Sequence, residues 1–365
     1  MTVELETVVP KLKFGINIAP AADSWKIVRR AEELGFDYAW FIDSQLINAD
    51  LFVSMAAAAM KTDRIRLGTG VLIPTNRLAP VAANALASLN ALAPGRIDMG
   101  YGTGFTGRRT MGLGPIKLST MFDYIHVVEK LLAGEMVDAN IENEMHLIRF
   151  MNPELNLINI EDPIPVHVSA LGPRGRRMVA EKGYRWTNTV GLLERAKATL
   201  NDMKTAWTEA GRDLADLEAN AISGGAVLRS EDDWDADYVL AQAGPQSAII
   251  LHNLAEEAQF GSIGQKPPPK LQSLVTEYLK IYQKYEPAEA RYLSNHKNHL
   301  MAVRPEERHL ITGDLIRNTT ISGKPDAIRD QIRALKEMGY TQFSVHVRAV
   351  LPEMIEAWAD VIEVV

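Results

Sequence analysis

The sequence predicts an α/β fold in which eight parallel strands, each followed by a helix, close into a (β/α)8 TIM barrel. Two observations predict it: short buried-strand patterns alternate with helical periodicity from residue 13 onwards, and the alternation can be counted eight times. The length of 365 residues, with 47% hydrophobic and 23% charged residues, suits one large globular unit. An open doubly wound sheet would show the same local pattern, but the count of eight favours the barrel.

The first four strand–helix steps occupy the chain up to residue 133. The predicted strands are residues 13–19, 38–42, 65–71 and 96–101. The first predicted helix lies between its expected N-cap, Asp23, and Gly35, and the next three are residues 51–60, 81–92 and 119–133. Strands separated by helices in this way are expected to be parallel and buried on both faces.

The alternation resumes after a polar insertion at residues 135–163, which we interpret as a hairpin or loop. The remaining predicted strands are residues 166–170, 185–189, 220–228 and 342–347, and the predicted helices are residues 174–182, 193–210, 325–338 and 351–365. A largely helical excursion at residues 231–322 precedes the eighth strand. Within it, Pro267–Pro269 indicate a break and residues 272–285 resume helical spacing. We therefore expect a single domain over residues 1–365, with the excursion as a lid.

Composition excludes several classes of protein. The net charge of −7 argues against binding to nucleic acid or an anionic membrane, and the absence of cysteine excludes disulfides, thiolate metal sites and a catalytic thiol. Residues 1–13 lack the basic and apolar segments of a secretory signal, so a cytoplasmic location is expected. The apolar run at residues 52–60 is too short to span a bilayer.

Barrel enzymes carry their chemistry on the loops that follow the strands, and four of these loops are unusual. They contain Asp43-Ser44-Gln45, residues 70–74 (GVLIP), Gly102-Thr103-Gly104 and residues 169–175 (SALGPRG). The last combines a hydroxyl, two glycines and a helix start with nearby arginines, a combination that suits a phosphate. The alternative is that the glycines only turn the chain and the arginines are solvated.

The order of several motifs resembles the bacterial-luciferase-like flavin oxidoreductases. The motifs are LGTGVLIP, LASLNALAPGRIDMGYGTG, RRTMG, YIHVVEKLLAGE, IPVHVSALGPRGRRMVAEKGYRWTN and ISGKPDAIRDQIRALKEMG. The superfamily includes bacterial luciferase, methylenetetrahydromethanopterin reductases and deazaflavin-dependent dehydrogenases. The resemblance covers residues 14–228 and 319 to the end, and it implies a flavin in the mouth of the barrel.

The resemblance also implies particular binding residues. The flavin ring should rest on the bulge after strand three, where family members often have a non-prolyl cis peptide; the matching bond is Gly70–Val71. The remaining cofactor-binding residues implied for the ring and the phosphate are Gly102, Thr103, Gly104, Ser169, Gly172, Arg174, Gly175, Thr187 and Thr189.

The sequence departs from the deazaflavin-dependent dehydrogenases at two positions. Where those enzymes have a histidine after strand two and a glutamate after strand four, this chain has Ser44 and Phe105. Ser44 and Gln45 are the candidate catalytic residues, but they can only orient a carbonyl or amide edge and cannot act as general acids near neutral pH. Asn48 and Asp50 are further hydrogen-bonding candidates.

The eight histidines do not predict a metal site. His296 and His299 have i,i+3 spacing, but without carboxylates in register we interpret them as a solvated helix face. The alternative is that a histidine of the excursion closes over the flavin as an acid or base.

Three functional hypotheses follow. We favour a two-component monooxygenase, in which a separate reductase delivers reduced FMN and molecular oxygen oxidises a small organic substrate; aromatic residues of the excursion would help to form a dry cavity. The second is hydride transfer from a reduced deazaflavin, coenzyme F420, whose anionic tail would need a basic groove such as Arg108, Arg109, Arg174 and Arg176. The third is a non-catalytic structural subunit, either flavin-binding or non-binding. Alanine-rich helices at residues 51–60 and 81–92 predict a homodimer.

Overall fold

The computed structural model describes residues 11–260 and 271–365, and in it eight parallel strands close into a barrel. In chain order the ten strands are β1 (Lys13–Ile18), β2 (Tyr38–Phe41), β3 (Arg66–Thr69), β4 (Ile97–Tyr101), β5 (Val137–Ile141), β6 (Glu144–Ile148), β7 (Val166–Ser169), β8 (Arg185–Thr189), β9 (Ala219–Ser223) and β10 (Gln342–Val347). Strands β5 and β6 form a separate antiparallel hairpin, and the barrel order is β1-β10-β9-β8-β7-β4-β3-β2. The predicted (β/α)8 fold and the insertion hairpin are confirmed.

The helices surround the barrel and form the excursion. They are α1 (Trp25–Glu33), α2 (Leu51–Ala59), α3 (Ala79–Leu92), α4 (Phe105–Arg109), α5 (Leu118–Leu132), α6 (Pro173–Lys182), α7 (Leu193–Glu209), α8 (Asp237–Ala255), α9 (Glu257–Phe260), α10 (Gln272–Tyr282), α11 (Tyr292–Asn295), α12 (Gly313–Thr319), α13 (Pro325–Met338) and α14 (Met354–Ile362). No helix among residues 11–260 and 271–365 is long and apolar enough to cross a membrane. The predicted break at Pro267–Pro269 lies outside the described residues.

Two strand ends differ from the prediction for identifiable reasons. Strand β3 ends at Thr69, because the chain turns away at a cis peptide between Gly70 and Val71. Strand β9 ends at Ser223, because the following residues pair instead with the end of the excursion: Ile321 donates to the Gly224 carbonyl and Leu228 donates to the Gly323 carbonyl. The predicted strand to residue 228 therefore merges a barrel strand with a second, separate contact.

Two helix starts also differ. The N-cap of α1 is Ser24, and Asp23 is instead paired on the surface with Lys26 at 3.0 Å. The short helix α4 is absent from the prediction, because its sequence FTGRR follows the glycines of strand four without an apolar period long enough to recognise. Its N-cap is Gly104, whose φ of +78° favours glycine.

The strands alternate between an outer apolar face and an inner polar face. On β10, Phe343 and Val345 belong to the hydrophobic core, whereas Ser344 and His346 alternate with them and are buried polar residues. The outer face packs against the surrounding helices and carries most of the apolar burial. The inner face is therefore the place where buried polar groups need partners.

At the lower end of the barrel, where the strands begin, those partners are present. Asp98 is fully buried and accepts hydrogen bonds from His167 at 3.0 Å and Arg66 at 2.6 Å, with Arg185 at 3.3 Å. Burial raises the pKa of Asp98, but the hydrogen bond from His167 and the charge of Arg66 outweigh it and lower the pKa overall. Asp98 therefore remains ionised at the centre of a compensated cluster.

A second apolar cluster lies in the excursion. Helix α8 packs against α10 and α12, and the buried aromatic residues Tyr278 and Tyr282 belong to this cluster. These tyrosines therefore serve mainly as helix packing. The excursion has its own hydrophobic core and contacts the barrel through polar side chains, such as Glu256 with Arg109 of α4.

Candidate active site

The floor of the barrel mouth is formed by Trp40, which projects from β2 beside Gly68 and Gly70. An ideal Cβ built on Gly68 would lie 2.3 Å from the Trp40 ring, and one on Gly70 would lie 2.8 Å from the Trp40 Cβ. The Trp40 ring meets the His167 ring edge-on at 4.8 Å between centroids. Gly68 of β3 and Gly70 of the following bulge are thus required by the close approach of Trp40.

The bulge after β3 has the geometry that the resemblance implies. The Gly70–Val71 peptide is cis, and both residues are half-buried. A Cβ on Gly102 would lie 2.5 Å from the Val71 Cγ2 and 3.9 Å from the Ser169 Cβ, so Gly102 brings the loops after β3, β4 and β7 together. The structure therefore joins three of the predicted binding segments on one side of the mouth.

Thr103 and Gly104 continue this side. Thr103 is half-buried, and its carbonyl accepts from the Ile116 amide at 3.0 Å. A Cβ on Gly104 would meet Ile73 at 2.6 Å and Arg108 at 2.8 Å, so this glycine is buried by protein and starts α4. Thr103 is consequently placed at the mouth, whereas Gly104 has a backbone role.

The predicted phosphate loop lies open at the start of α6. Gly172 is the N-cap of α6 and is exposed, with no atom within 4 Å of an ideal Cβ. Arg174 is exposed and has no hydrogen bond or ion pair with any described residue, whereas Gly175 is buried against Ala170. An anion could approach this helix start without displacing a side chain.

The next strand extends the same surface. Ser169 pairs with Thr187 across β7 and β8, and Thr189 at the end of β8 is exposed. The alternation of β8 puts Thr187 and Thr189 on one face. Ser169 and Thr187 are therefore neighbours at the strand end that leads into the predicted phosphate loop.

The predicted basic groove is wrong for three of its four arginines. Arg109 is fully buried and lies 3.5 Å from Glu256. Arg176 is buried and donates to Asp202 at 2.8 Å. Arg108 donates to the Gly114 carbonyl at 2.6 Å and to Thr75. Only Arg174 remains available, because the others are engaged in local structure.

The candidate catalytic residues hold the mouth loops rather than project freely from them. The side chain of Gln45 donates to the Gly107 carbonyl and accepts from Asn76 at 2.7 Å. Ser44 is buried, and its carbonyl accepts from the Asn48 amide at 3.0 Å. Asp50 caps α2 and pairs with Arg77 at 2.6 Å, so it is used in local structure.

The interpretation of His296 and His299 as a solvated helix face is wrong. They are 2% and 7% exposed, and their rings meet at 5.8 Å. His296 bonds to Glu256 at 2.8 Å, and Glu256 faces Arg109 from α4. Sequence spacing gave no sign that the excursion folds back onto the barrel and covers these residues. Within residues 11–260 and 271–365, no group of three or more His, Asp or Glu side chains is arranged to hold a metal ion.

Burial controls the charge of His299 and of His346, which lies on β10. It lowers the pKa of His299 well below the ordinary value, and the neighbouring histidines and Arg348 lower it further. Burial and Arg348 lower the pKa of His346 to about 3. Both rings are therefore neutral near neutral pH and act as hydrogen-bonding groups, not as general acids.

Several buried polar atoms at this end of the barrel have no partner among the described residues. They are Asn17 Oδ1, Trp40 Nε1, His299 Nδ1 and one terminal nitrogen of Arg348. Buried polar groups are normally paired, so such a concentration indicates a place where a ligand supplies the partners. Sequence reasoning missed these residues; the available signal was polar residues alternating with apolar ones in the strands QFSVHV and KFGINI.

Comparison with known proteins adds independent information. The family model described as luciferase-like monooxygenase matches residues 15–342. The chain is 31% identical over 217 residues to 5,10-methylenetetrahydromethanopterin reductase from Methanolobus tindarius; the match covers 58% of this chain and 64% of that protein, which is less than two thirds of its length.

Solved structures share the fold. The coenzyme F420-dependent tetrahydromethanopterin reductase from Methanopyrus kandleri superposes with a TM-score of 0.69 at 20% identity, covering 96% of this chain and 97% of that one. The oxygenating constituent of 3,6-diketocamphane monooxygenase from Pseudomonas putida, in complex with FMN, superposes with a TM-score of 0.65 at 15% identity, covering 97% and 96%. At these identities the superpositions show the barrel architecture alone.

Proposed function

Since the chain belongs to the luciferase-like monooxygenase family of flavin- and deazaflavin-dependent oxidoreductases, we propose that it is an oxygenase that uses reduced FMN. The observation that carries the proposal is the single available cation at the phosphate loop, Arg174. The phosphate of FMN needs one or two such groups, whereas the longer anionic tail of a deazaflavin favours a basic groove.

The residues present fit FMN at both ends. The exposed Gly172 and Arg174 at the start of α6 suit a phosphate, and Ser169 adds a hydroxyl beside it. The surface of Val71 and Gly102 suits one face of a planar ring. The unpaired buried Nε1 of Trp40 is a donor, and a flavin ring carries carbonyl and ring-nitrogen acceptors.

The bound group would supply two electrons for the reduction of oxygen, so that one oxygen atom passes to the substrate and the other leaves as water. The chain's residues have three tasks in this reaction. Arg174 and the amides at the start of α6 bind the phosphate, Val71 and Trp40 orient the ring, and α8 with the buried histidines excludes water from the opposite side. Gln45 links the loops after β2 and β4, and the Ser44 carbonyl closes the turn after β2.

The test is an anaerobic titration of reduced FMN and of reduced coenzyme F420 into the purified protein, followed by fluorescence. We expect FMN to bind and Arg174→Gln to weaken it about tenfold, because a charge-assisted hydrogen bond is lost. Arg177→Gln is the matched control: it removes the same charge from an exposed residue of the same helix, one turn further from its start. On mixing with oxygen, the bound flavin should regain its oxidised spectrum more slowly than free flavin.

A deazaflavin-dependent enzyme is the second candidate, and the similarity to the F420-dependent glucose-6-phosphate dehydrogenase of Beutenbergia cavernae, 27% identical over 230 residues, favours it. Binding of reduced F420 without binding of reduced FMN would establish this candidate and reject the first. If neither binds, a non-catalytic subunit is the remaining hypothesis.

We also propose that a separate flavin reductase supplies the reduced FMN and that the protein is a homodimer. Large apolar side chains are exposed on α2, at its C-cap and on α3: Val53 and Met60 are each 65% exposed and Val81 is 53% exposed. Light scattering should give the mass of a dimer, and Val53→Asp with Val81→Asp should give that of a monomer. A monomeric mass for the unchanged protein would reject the dimer.

A further inference from the structure

We infer that Arg348, at the carboxyl end of β10, binds a carboxylate group of the substrate. The inference rests on the proposed function, because it names the substrate class of the same site. Arg348 directly follows the last residue of β10 and continues the inner face of Ser344 and His346. It therefore stands at the mouth, on the other side of the barrel from β3, β4 and their glycine loops.

Arg348 is the exception among the buried arginines of the described chain. Four arginines are buried: Arg109, Arg176, Arg304 and Arg348. The first three have carboxylate partners, Glu256 at 3.5 Å, Asp202 at 2.8 Å and Glu307 at 2.5 Å. Arg348, 2% exposed, has no ion pair with any described residue. A buried cation without a counterion is costly, so the fold retains it for a partner that is not part of the chain.

The free edge of the guanidinium points to the geometry of that partner. Its Nε donates to the Gln242 carbonyl of α8 at 3.2 Å, which fixes the plane of the group. Neither terminal nitrogen has a hydrogen bond within the described residues, and one of them is fully buried. Two adjacent N–H groups on one edge match the two oxygens of a carboxylate.

The surroundings of Arg348 are neutral. The groups that interact with it electrostatically are His299 of the excursion and His346 of β10, and burial keeps both rings uncharged. Burial lowers the pKa of Arg348 to about 9, so the guanidinium is still charged at neutral pH. A carboxylate entering this space would thus meet one cation and no competing acid among these groups.

Binding to Arg348 would orient the substrate in the barrel mouth. A small organic acid would place its carboxylate on Arg348 and direct its remaining atoms towards the ring surface of Val71 and Gly102. Neutral analogues of the same shape would lose the ion pair and leave the cation buried and unpaired.

The experiment measures binding of acetate, hexanoate and benzoate, each against its amide, by calorimetry with the cofactor-free protein at pH 7. At least one acid should bind about tenfold or more tightly than its amide. Arg348→Gln should abolish the preference, and Arg348→Lys should retain part of it, because the charge remains but the fork is lost. Arg317→Gln, which removes an exposed arginine that stacks on Trp234, should keep the full preference.

The outcomes separate this inference from the proposed function. No acid preference in any of the three pairs, or a preference that survives Arg348→Gln, would overturn the inference. If Arg348→Gln lowers the affinity for reduced FMN instead, Arg348 serves the cofactor, and the inference fails while the proposed function stands. If FMN does not bind but the Arg348-dependent preference is present, the proposed function fails and the anion site stands. Should Arg348→Gln not fold, the Lys variant decides: an acid affinity equal to that of the unchanged protein would overturn the inference.

Discussion

At the lower end of the barrel Asp98 is fully buried and has three partners, whereas at the upper end Arg348 is equally buried and has no carboxylate partner among the described residues. Both groups come from strands of the same sheet and project into the same interior. This difference shows which end of the barrel has balanced buried charges without a ligand. The lower cluster pairs its own charges, whereas the buried charge at the upper end has no counterion among the described residues.

The largest expected effect is at the lower end. Asp98→Asn removes the charge while two arginines remain close, so the free energy of unfolding should fall by about 3–5 kcal/mol. Urea denaturation measures this. Asp326→Asn, which removes the exposed partner of Arg329, is the control and should change little. A small loss for Asp98→Asn would mean that the lower cluster is not the structural counterpart of the open upper end.

A buried cluster of paired charges in the excursion should lose stability when its charges are neutralised, as the cluster at the lower end of the barrel should. Burial opposes the ionisation of Glu307, but His252 and Arg304 lower its pKa to about 2, below the ordinary 4.5. Its stabilisation is therefore complete above pH 4.5 and is lost as the pH falls from 4.5 towards 2, by about 3 kcal/mol in all. In urea titrations across that range, Glu307→Gln should show a shallower pH dependence than the unchanged protein. Identical slopes would contradict the prediction.

The smallest expected effect has the opposite sign. Arg348→Met replaces an uncompensated buried cation with an apolar side chain of similar length, so the free energy of unfolding should rise by about 1 kcal/mol. Arg304→Met is the matched control, and it should be destabilising because Glu307 loses its partner. Thermal or urea unfolding distinguishes the two. Destabilisation by both substitutions would contradict the conclusion that the buried charge of Arg348 lacks a counterion.

The sequence predicted the barrel because hydrophobic periodicity is local. Strands such as β8 and β10 and the helix α13 were located to the residue, and the cis bond was predicted correctly at Gly70–Val71 from the family resemblance. The pairing of charges is not local. Arg109 and Arg176 were candidates for the basic groove that a deazaflavin tail would need, but they pair with Glu256 and Asp202, which are distant in the sequence.

The same limit explains the error at His296 and His299. Their i,i+3 spacing is typical of an exposed helix face, and only the return of the excursion to the end of β10 buries them. Trp40 was missed for a related reason, since its complementarity to Gly68 appears only when β2 and β3 are placed side by side in register.

Arg109 connects the helix α4, which follows strand four, to the excursion. Its guanidinium lies 3.8 Å from the Phe105 ring of α4 and 5.7 Å from the Phe260 ring of α9, and it also reaches Asn253 of α8 at 3.2 Å. Swinging the excursion outward would separate this cation from Phe260, Asn253 and Glu256 together, while Phe105 of its own helix would stay beside it. Substrate entry by such a route would therefore either break these contacts or carry α4 along with the excursion, so the rate of opening would depend on Arg109.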